Sequence, residues 1–264
     1  MEVTLITGAS GGIGKALAVK FAEKKHNLLL VARSAGKLEK LCRQLVEKYH
    51  IKAEYITADL VKAGAPEYIF TETQKRKLNV NVLVNNAGIG SGGEFTTLSL
   101  KSELDMLQLN NSALVALTHY FLPQMQQQKQ GTVINVASMA AFMPAPYMAV
   151  YAASKVFVRS FTEAITEECK PYNIYVMLLC PGLTQTNFMN AAGISAGKQK
   201  ALTGKAKTQT PEEVANEAIK GLDAGKAMVI CGRTNRIGAK AGMFISNATI
   251  AKIMAKSYRK NQNA

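Results

Sequence analysis

Paired cysteines and clustered histidines are missing from this 264-residue chain. Its four cysteines (Cys42, Cys169, Cys180 and Cys231) show no CxxC spacing, and its three histidines are scattered. A disulfide framework and a zinc site of the usual ligand spacing are therefore not predicted. We expect free buried thiols, no metal site and a reducing compartment, which means a cytoplasmic location.

Long apolar runs are also missing. No run reaches the 18 or so residues that a membrane-spanning helix needs. The first ten residues, MEVTLITGAS, contain an acidic residue and enter a strand-like run at once, so a secretory signal is not expected.

Acidic residues are few, 18 against 32 lysines and arginines, and the formal net charge is +14. From Lys226 onward there are eight basic residues and no acidic one, so this end carries more than half of the excess. Such a segment can contact phosphate, an acidic partner or an anionic membrane surface, or can simply be a solvated face. Nucleic-acid binding is not expected, because no array of base-stacking aromatic residues accompanies the charge.

Apolar, β-branched runs alternate with helix-period segments along most of the chain. The predicted strands are Val3–Thr7, Asn27–Ala32, Lys52–Thr57, Val80–Asn85, Gly131–Ala137, Tyr175–Cys180 and Ala227–Cys231. Helical patterns include Gly14–Lys24, Lys37–Tyr49, Lys101–Gln126, Tyr151–Lys170 and Pro211–Gly221. Strands such as NLLLVA are apolar on both faces, as in a parallel sheet covered by helices. The pattern predicts an α/β fold with a doubly wound parallel sheet.

The chain is predicted to be one domain over residues 1–232 with an extension over 233–264. Residues 187–210 are rich in Gly, Ala, Ser, Thr and Lys, and we expect them to form a mobile substrate loop. The extension mixes lysines with apolar residues such as Met243, Phe244 and Ile253, which predicts one or two amphipathic helices.

A glycine-rich turn, TGASGGIG at 7–14, follows the first strand and precedes a helix. Glycines at these positions let the backbone approach a pyrophosphate closely, and the helix directs its free N–H groups at it. The spacing GxxxGxG differs from the usual GxGxxG, and no P-loop lysine is present. The position between strand and helix favours dinucleotide binding over a purely structural turn.

The end of the second strand predicts which dinucleotide binds. A carboxylate there would accept hydrogen bonds from the ribose of NAD, but the sequence continues Ala32–Arg33, with Lys37 close behind. A guanidinium suits a 2′-phosphate, so NADP(H) is expected rather than NAD(H). The alternative is that Arg33 is a solvated loop residue.

A tyrosine and a lysine stand four apart in YAASK, residues 151–155. On a helix they would share a face. Spacing alone favours the simpler alternative, in which Tyr151 packs in the core and Lys155 is solvated.

Together with NNAG at 85–88, these motifs resemble the short-chain dehydrogenase/reductase family over roughly residues 3 to 232. The resemblance implies a Rossmann-like sheet of seven strands, NAD(P)(H) binding and carbonyl/alcohol oxidoreduction. It also implies a homodimer or homotetramer that associates through the helices carrying Asn110 and Tyr151. The C-terminal extension departs from the family's minimal members.

The family's functional positions match residues of this chain one by one. The resemblance makes Asn110, Ser138, Tyr151 and Lys155 catalytic, with Asn110 preferred to the adjacent Asn111 and expected in a distorted helix that holds a water. The expected cofactor-binding residues are Gly8, Ser10, Gly11, Gly12, Ile13, Gly14, Arg33, Asp59, Leu60, Asn86, Ala87, Gly88, Tyr151, Lys155, Pro181, Gly182, Thr184 and Thr186.

The chemistry that these residues imply is reduction of a carbonyl with Tyr151 as general acid. The unperturbed pKa of tyrosine is about 10, and a nearby ammonium favours phenolate and lowers that pKa. Lys155 would also hold the nicotinamide ribose, and Ser138 would donate to the substrate oxygen. Structural alternatives are a strand-end cap for Ser138 and simple packing for Tyr151.

Apolar residues near these motifs are expected to line the substrate pocket: Ile89, Met139, Ala140, Phe142, Met148, Phe188 and Met189. They predict a hydrophobic ketone, aldehyde or 3-oxoacyl substrate rather than a sugar, although some could be core residues. Two other classes of function remain open. One is a non-catalytic NADP-binding sensor, and the other is a protein anchored to a membrane surface or an acidic partner by its basic extension.

Overall fold

The central element is a parallel sheet of seven strands in the order β3-β2-β1-β4-β5-β6-β7. The computed structural model describes residues 1–191, 208–242 and 244–262. The strands are β1 (Glu2–Thr7), β2 (Leu28–Ala32), β3 (Ala53–Thr57), β4 (Asn79–Asn85), β5 (Gly131–Val136), β6 (Ile174–Cys180) and β7 (Met228–Ile230). Strand order reverses between β1 and β4, so a crevice opens at their carboxyl ends, where ligands bind in sheets of this kind.

Helices cover both faces of the sheet, as the sequence pattern predicts. They are α1 (Gly12–Glu23), α2 (Ala35–Tyr49), α3 (Ala65–Lys75), α4 (Leu100–Leu107), α5 (Ala113–Gln128), α6 (Ala149–Cys169), α7 (Phe188–Ala191), α8 (Pro211–Asp223), α9 (Arg233–Gly242) and α10 (Asn247–Gln262). Helices α1, α2 and α8 pack on one face, and α3, α5 and α6 pack on the other. None of the helices in the described ranges is long and apolar enough to cross a membrane.

Strand β2 illustrates why its sequence is apolar throughout. Leu28 and Leu30 belong to the core under α1, α2 and α8, whereas Leu29 and Val31 belong to the core on the opposite face. Because successive side chains of a strand point to opposite faces, a strand covered on both sides needs apolar residues at every position.

Each predicted strand is present, with ends within one residue of the prediction. Helix α3, whose apolar positions are few, has no counterpart among the predicted helical segments. The expected substrate loop, residues 187–210, lies largely outside the described residues, which resume at Thr208, and Met243 of the extension also lies outside them.

The predicted helix Lys101–Gln126 is interrupted. Between α4 and α5 the chain forms a π-helical turn, Gln108–Ser112, in which Asn110 and Asn111 are both buried. A π turn inserts one extra residue and is often found at functional sites. It is the helix distortion that the family resemblance implies.

A polar chain crosses the apolar core. The Asn85 amide on β4 donates to the Asn135 side chain (2.9 Å) and to Thr118 on α5 (3.1 Å), and Asn135 donates to Thr162 on α6 (3.0 Å). All four residues are buried. These bonds fix the two central strands to the helices that carry the π turn and the YAASK motif, since a buried polar group is costly without its partner.

The extension forms two helices that pack on the α/β core. Arg236 of α9 bonds to Glu217 of α8 (2.8 Å) and to the Ile230 carbonyl (3.0 Å). In α10, Ile250 and Tyr258 are buried, while Lys252, Lys256 and Lys260 are exposed. The predicted amphipathic character of the extension is therefore present.

We predict that Asn135→Ala lowers the free energy of unfolding by about 2–4 kcal/mol, because it removes two buried hydrogen bonds and leaves Asn85 and Thr162 each with one bond fewer. Chemical denaturation of the purified protein measures this. Asn81→Ala is the matched control, since Asn81 lies on the neighbouring strand β4 but bonds to Glu2 at the surface. Equal losses in the two variants would contradict a structural role for the buried chain.

Candidate active site

The glycine turn after β1 adopts a backbone that side chains would block. Gly8 (φ 66°) and Gly12 (φ 52°) lie in the left-handed region. A Cβ on Gly8 would lie 2.8 Å from the Asn86 amide nitrogen, and one on Gly14 would collide with the Gly8 carbonyl. The turn therefore needs glycine at these positions.

Helix α1 begins at this turn with free N–H groups. Its N-cap is Gly11, which offers no side-chain cap, and its first turn has no acidic residue. A Cβ on Gly11 would meet nothing within 4 Å, so the space beside it is open. An uncapped helix N-terminus facing open space is suited to an anion such as a pyrophosphate.

Thr7, at the end of β1, joins the glycine turn to the NNAG segment after β4. Its hydroxyl accepts from the main-chain N–H groups of Asn86 and Ala87, both at 2.9 Å. The Asn86 side chain donates back to the Thr7 carbonyl (2.8 Å). These bonds hold the floor of the crevice together, and Asn86 acts mainly through them.

The end of β2 is the most basic part of the crevice. Arg33 and Lys37 are exposed, and Ser34, the N-cap of α2, makes no side-chain cap. The first turn of α2 has no acidic residue. After β3, Asp59 is half-buried and accepts from the Val61 N–H (3.2 Å), and Leu60 is buried. A phosphate beside Arg33 would meet a guanidinium, an ammonium and a free helix N-terminus.

Tyr151 and Lys155 lie on the inner face of α6, and both are buried. The Lys155 ammonium is 5.9 Å from the centroid of the Tyr151 ring and donates to the Val136 carbonyl (3.0 Å). A solvated Lys155, the alternative that spacing alone left open, is therefore wrong.

Asn110 connects the π turn to the tyrosine motif. Its side chain accepts from the Ile89 N–H (3.0 Å), donates to the Ile89 carbonyl (2.9 Å) and donates to the Ser154 hydroxyl (3.0 Å). Ser154 in turn donates to the Tyr151 carbonyl (2.7 Å). Asn111 reaches only the main chain of Ser154. Asn110 is thus the asparagine that ties Ile89 to the catalytic helix.

Gly88 lies between Asn110 and Lys155. A Cβ there would be 3.1 Å from the Asn110 side-chain oxygen and 3.3 Å from the Lys155 ammonium nitrogen. A side chain in place of the NNAG glycine would therefore press on two candidate catalytic side chains.

The pKa values in this cluster are dominated by burial. Burial raises the pKa of Tyr151, and the hydrogen bond with Ser138 lowers it by less. Burial lowers the pKa of Lys155 to about 8. In the protein alone, the expected lowering of the Tyr151 pKa by Lys155 is absent, since desolvation outweighs a cation held 5.9 Å from the ring.

Ser138 faces Tyr151 from the end of β5 and also caps the turn that follows. Its oxygen accepts from the Ala140 N–H (3.2 Å) at the start of the 3₁₀ turn Met139–Phe142. The strand-end cap that sequence reasoning offered as the alternative is therefore present alongside the contact with the Tyr151 hydroxyl.

The segment after β6 closes the crevice opposite the glycine turn. The Thr186 methyl carbon lies 3.1 Å from where a Gly12 Cβ would be, and the Thr184 hydroxyl donates to the Gly182 carbonyl (3.1 Å). Asn235, at the start of α9, fills the space beside Gly182. Pro181, also an expected cofactor residue, is buried.

Apolar side chains border Tyr151 on its outer side. The Phe188 ring lies 5.5 Å from that of Tyr151 and fills the space beside Gly90. The other expected pocket residues are half-buried: Ile89, Met139, Ala140, Phe142, Met148 and Met189.

Phe142 also lies under Arg159 at 4.5 Å and lines a separate cavity of about 570 Å³ on the outer face of α6. None of the catalytic candidates lines that cavity. The assignment of Phe142 to the substrate pocket remains a prediction.

Sequence reasoning missed three residues that organise the site: Thr7, Ser154 and Asn235. Thr7 and Ser154 lie inside the quoted motifs, so attention to small hydroxyl residues at strand ends and one turn from Tyr151 could have found them. Asn235 reaches Gly182 only through the tertiary structure, and no local sequence pattern marks it. In the described part of the chain, no group of three or more His, Cys, Asp or Glu side chains could hold a metal ion.

Comparison with known proteins gives related sequences and structures. A very-long-chain 3-oxoacyl-CoA reductase of Pyrenophora tritici-repentis is 30% identical over 78% of this chain and 67% of its own length. An inactive hydroxysteroid dehydrogenase-like protein 1 of Homo sapiens is 29% identical over 69% of this chain and 56% of its own length. A short-chain dehydrogenase from Sphingobium yanoikuyae, solved in complex with NADPH, superposes with a TM-score of 0.82 at 28% identity, over 92% of this chain and 93% of that one.

The chain spans 51 to 67% of the length of four curated relatives that it matches. The family model of the short chain dehydrogenases matches residues 2–196, which contain the glycine turn, NNAG, Ser138 and the YAASK motif. With its seven-stranded sheet and this convergent cluster, the chain belongs to the short-chain dehydrogenase family.

Proposed function

We propose that this protein is an NADP(H)-dependent carbonyl/alcohol oxidoreductase that reduces a hydrophobic ketone or a 3-oxoacyl substrate, with Tyr151 as general acid/base. The observation that carries the proposal is the convergence of Ser138, Tyr151 and Lys155 on one buried point beside the crevice. The screen that tests it measures NADPH oxidation with acetoacetyl-CoA, its neutral truncated thioester acetoacetyl-N-acetylcysteamine, and acetophenone.

The residues of the crevice fit a bound NADP(H). The glycine turn and the free N-terminus of α1 would hold the pyrophosphate, because Gly11 leaves the N-terminus uncapped and the space beside it open. Arg33 and Lys37 would hold the 2′-phosphate, and Asp59 with Leu60 would border the adenine. Ser10 and Ile13 belong to the same turn, and Ala87, Gly88, Pro181, Gly182, Thr184 and Thr186 line the remaining path to Tyr151. NADPH supplies the hydride when bound.

Each candidate catalytic side chain would either transfer a proton or orient a group that takes part in the reaction. The Tyr151 hydroxyl would give its proton to the carbonyl oxygen, and Ser138 would donate to the same oxygen and stabilise its developing charge. Lys155, whose pKa of about 8 lets it exchange protons near neutrality, would orient the ribose and help return the proton to Tyr151. Asn110 would hold Ile89 and the Tyr151 turn in register and anchor the water that links Lys155 to solvent.

The second candidate function is a non-catalytic NADP(H)-binding sensor. The human relative named as inactive supports its consideration, because it is nearly as similar as the named reductases. Ser138, Tyr151, Lys155 and Asn110 are all retained here, which favours the enzyme. Bound NADPH without oxidation of any carbonyl compound would favour the sensor.

The basic face of α10 supports the proposal that the acyl substrate is joined to an anionic carrier. Lys252, Lys256 and Lys260 recur every four residues and are exposed, as is Arg259. An acyl-CoA or an acyl-carrier protein would present phosphate or carboxylate groups to them. An anionic membrane surface is the alternative partner, which would add a peripheral membrane association to the cytoplasmic location we propose.

We also propose that two or four copies associate through α4 and α6. Leu100 (67% exposed) and Leu104 (55%) repeat along one side of α4, and Val156 and Phe157 are exposed on α6. Several exposed apolar side chains on neighbouring helices are typical of a contact between subunits.

We predict that Tyr151→Phe lowers kcat by about 10²–10⁴-fold, because general acid/base catalysis contributes about that factor. NADPH affinity, measured by fluorescence titration, is expected to stay within a factor of about two, since no phosphate contact changes. Tyr172→Phe is the control, because it removes the hydroxyl of an exposed tyrosine outside the site. Appreciable NADPH-dependent reduction by Tyr151→Phe would contradict the mechanism.

We predict that Arg33→Ala weakens NADPH binding by about 10- to 100-fold, because a hydrogen bond to a charged group contributes about 1.5–3 kcal/mol. NADH binding is expected to change little. Arg43→Ala serves as the control, since Arg43 lies on α2, the helix that follows Arg33, but pairs with Glu39. A wild-type preference for NADH would refute the assignment.

We predict that the triple variant Lys252→Gln, Lys256→Gln, Lys260→Gln raises KM for acetoacetyl-CoA about threefold or more, since exposed ion pairs contribute about 0.2–1 kcal/mol each. KM for the neutral thioester should not change. Deleting residues 233–264 would be less specific, because it also removes Asn235 and Tyr258 from the core.

The control for this charge effect replaces Lys40, Lys48 and Lys77 by glutamine, which changes the net charge equally on other exposed surfaces. Equal effects of both triple variants, or equal effects on both thioesters, would count against acyl-carrier binding at α10. Co-sedimentation with phosphatidylserine vesicles that only the α10 variant loses would support the membrane alternative.

A further inference from the structure

Tyr147 has a strained backbone directly before the catalytic helix. Its φ of 67° lies in the left-handed region, which a residue with a bulky side chain rarely adopts. It precedes Met148, the N-cap of α6, and stands four residues before Tyr151. A conformation of this kind persists only where the surroundings impose it, so the contacts of Tyr147 identify what imposes it.

Two main-chain hydrogen bonds hold the backbone around Tyr147. The Tyr147 carbonyl accepts from the Gly93 N–H (2.8 Å), which links the segment after β5 to the segment after β4. The Met148 N–H donates to the Ala145 carbonyl (3.0 Å), which closes a turn around Tyr147. The two segments joined here carry Ile89 and Met148, both expected pocket residues, so Tyr147 joins the two walls that border Tyr151.

The third contact comes from the C-terminal extension. The ring of Tyr258 in α10 stacks on the Tyr147 ring, with 3.8 Å between centroids and 19° between planes. Tyr258 is only 3% exposed, although it lies on a helix whose other face is basic and solvated. At the other end of α10, Asn247 lines the same cavity as Ala145 and Pro146 of this segment. Both Tyr258 and Asn247 of α10 therefore lie near the segment before α6.

We propose that Tyr258 is a positioning residue of the active site, and that α10 acts on Tyr151 through the segment that precedes α6. Stacking on Tyr147 holds residues 143–148 against the Gly93 segment, and this sets both the pocket wall and the first turn of α6. The inference rests on the proposed function for its kinetic consequence but not for the structural coupling. An aromatic stack is the required feature, so phenylalanine should replace Tyr258 where alanine cannot.

The structural coupling is tested by amide hydrogen exchange on the full-length protein, comparing wild type with Tyr258→Ala. We expect exchange to increase about tenfold or more at the Gly93 amide and over residues 143–150, because local opening loses its main restraint. Tyr258→Phe should behave like wild type. Ile253→Ala is the matched control, since Ile253 lies on the exposed face of the same helix.

The kinetic consequence is tested with acetoacetyl-N-acetylcysteamine, which carries no charge to interact with the basic face. Tyr258→Ala should lower kcat/KM about 10- to 100-fold, because small displacements of reacting groups cost factors of that order. NADPH affinity should not change, and Tyr258→Phe should restore the rate. The double variant Tyr147→Ala, Tyr258→Ala should lose little more than either single variant, since the two rings act as one unit.

Unchanged exchange at Gly93 and residues 143–150 in Tyr258→Ala would overturn the proposal. So would increased exchange without any change in kcat/KM, and the proposed function would then still stand. If none of the carbonyl compounds led the wild type to oxidise NADPH, the proposed function would fail. The hydrogen-exchange comparison alone would then decide whether Tyr258 positions the segment before α6.

Discussion

The close approach of β1 and β4 at their carboxyl ends is the constraint on which the site depends. Thr7 satisfies two main-chain N–H groups of the NNAG segment with one hydroxyl, and Asn86 returns a bond to the Thr7 carbonyl. This contact leaves no room for a side chain at Gly8 or Gly14. The open helix N-terminus, the position of Gly88 and the orientation of Asn110 all follow from where these two strand ends are held.

Burial of Lys155 shows how stability and chemistry oppose each other here. Taking an ammonium out of water is unfavourable, and one carbonyl bond from Val136 offsets this only in part, so burial lowers the pKa of Lys155 to about 8. The same position brings the cation beside Tyr151 and Gly88. The polar chain through Asn85 and Asn135 anchors the surrounding strands, which lets the fold tolerate this unfavourable group.

Much of the site could be predicted from local patterns because its residues sit at strand ends and on one helix turn. The glycine turn, Arg33 and the pair Tyr151 and Lys155 are adjacent to elements that the hydrophobic period identifies, whereas Ser138 was assigned only by the family resemblance. Asn110 required the family resemblance, since a π turn leaves no periodic signature that distinguishes it from Asn111. Thr7, Ser154 and Asn235 were missed because their partners lie far along the chain or in the main chain.

The sequence by itself determined the alternation of strands and helices, the doubly wound sheet and the glycine turn between strand and helix, since each depends on residues that are near one another in the chain. The candidate catalytic side chains were identified in the sequence with the family resemblance. Tertiary structure alone decided that burial raises the pKa of Tyr151 and that α10 reaches back to stack Tyr258 on Tyr147. Desolvation and ring stacking both depend on residues that are close in the fold but distant in the chain. Tyr147 and Tyr258 are 111 positions apart, so no local sequence pattern predicts their contact.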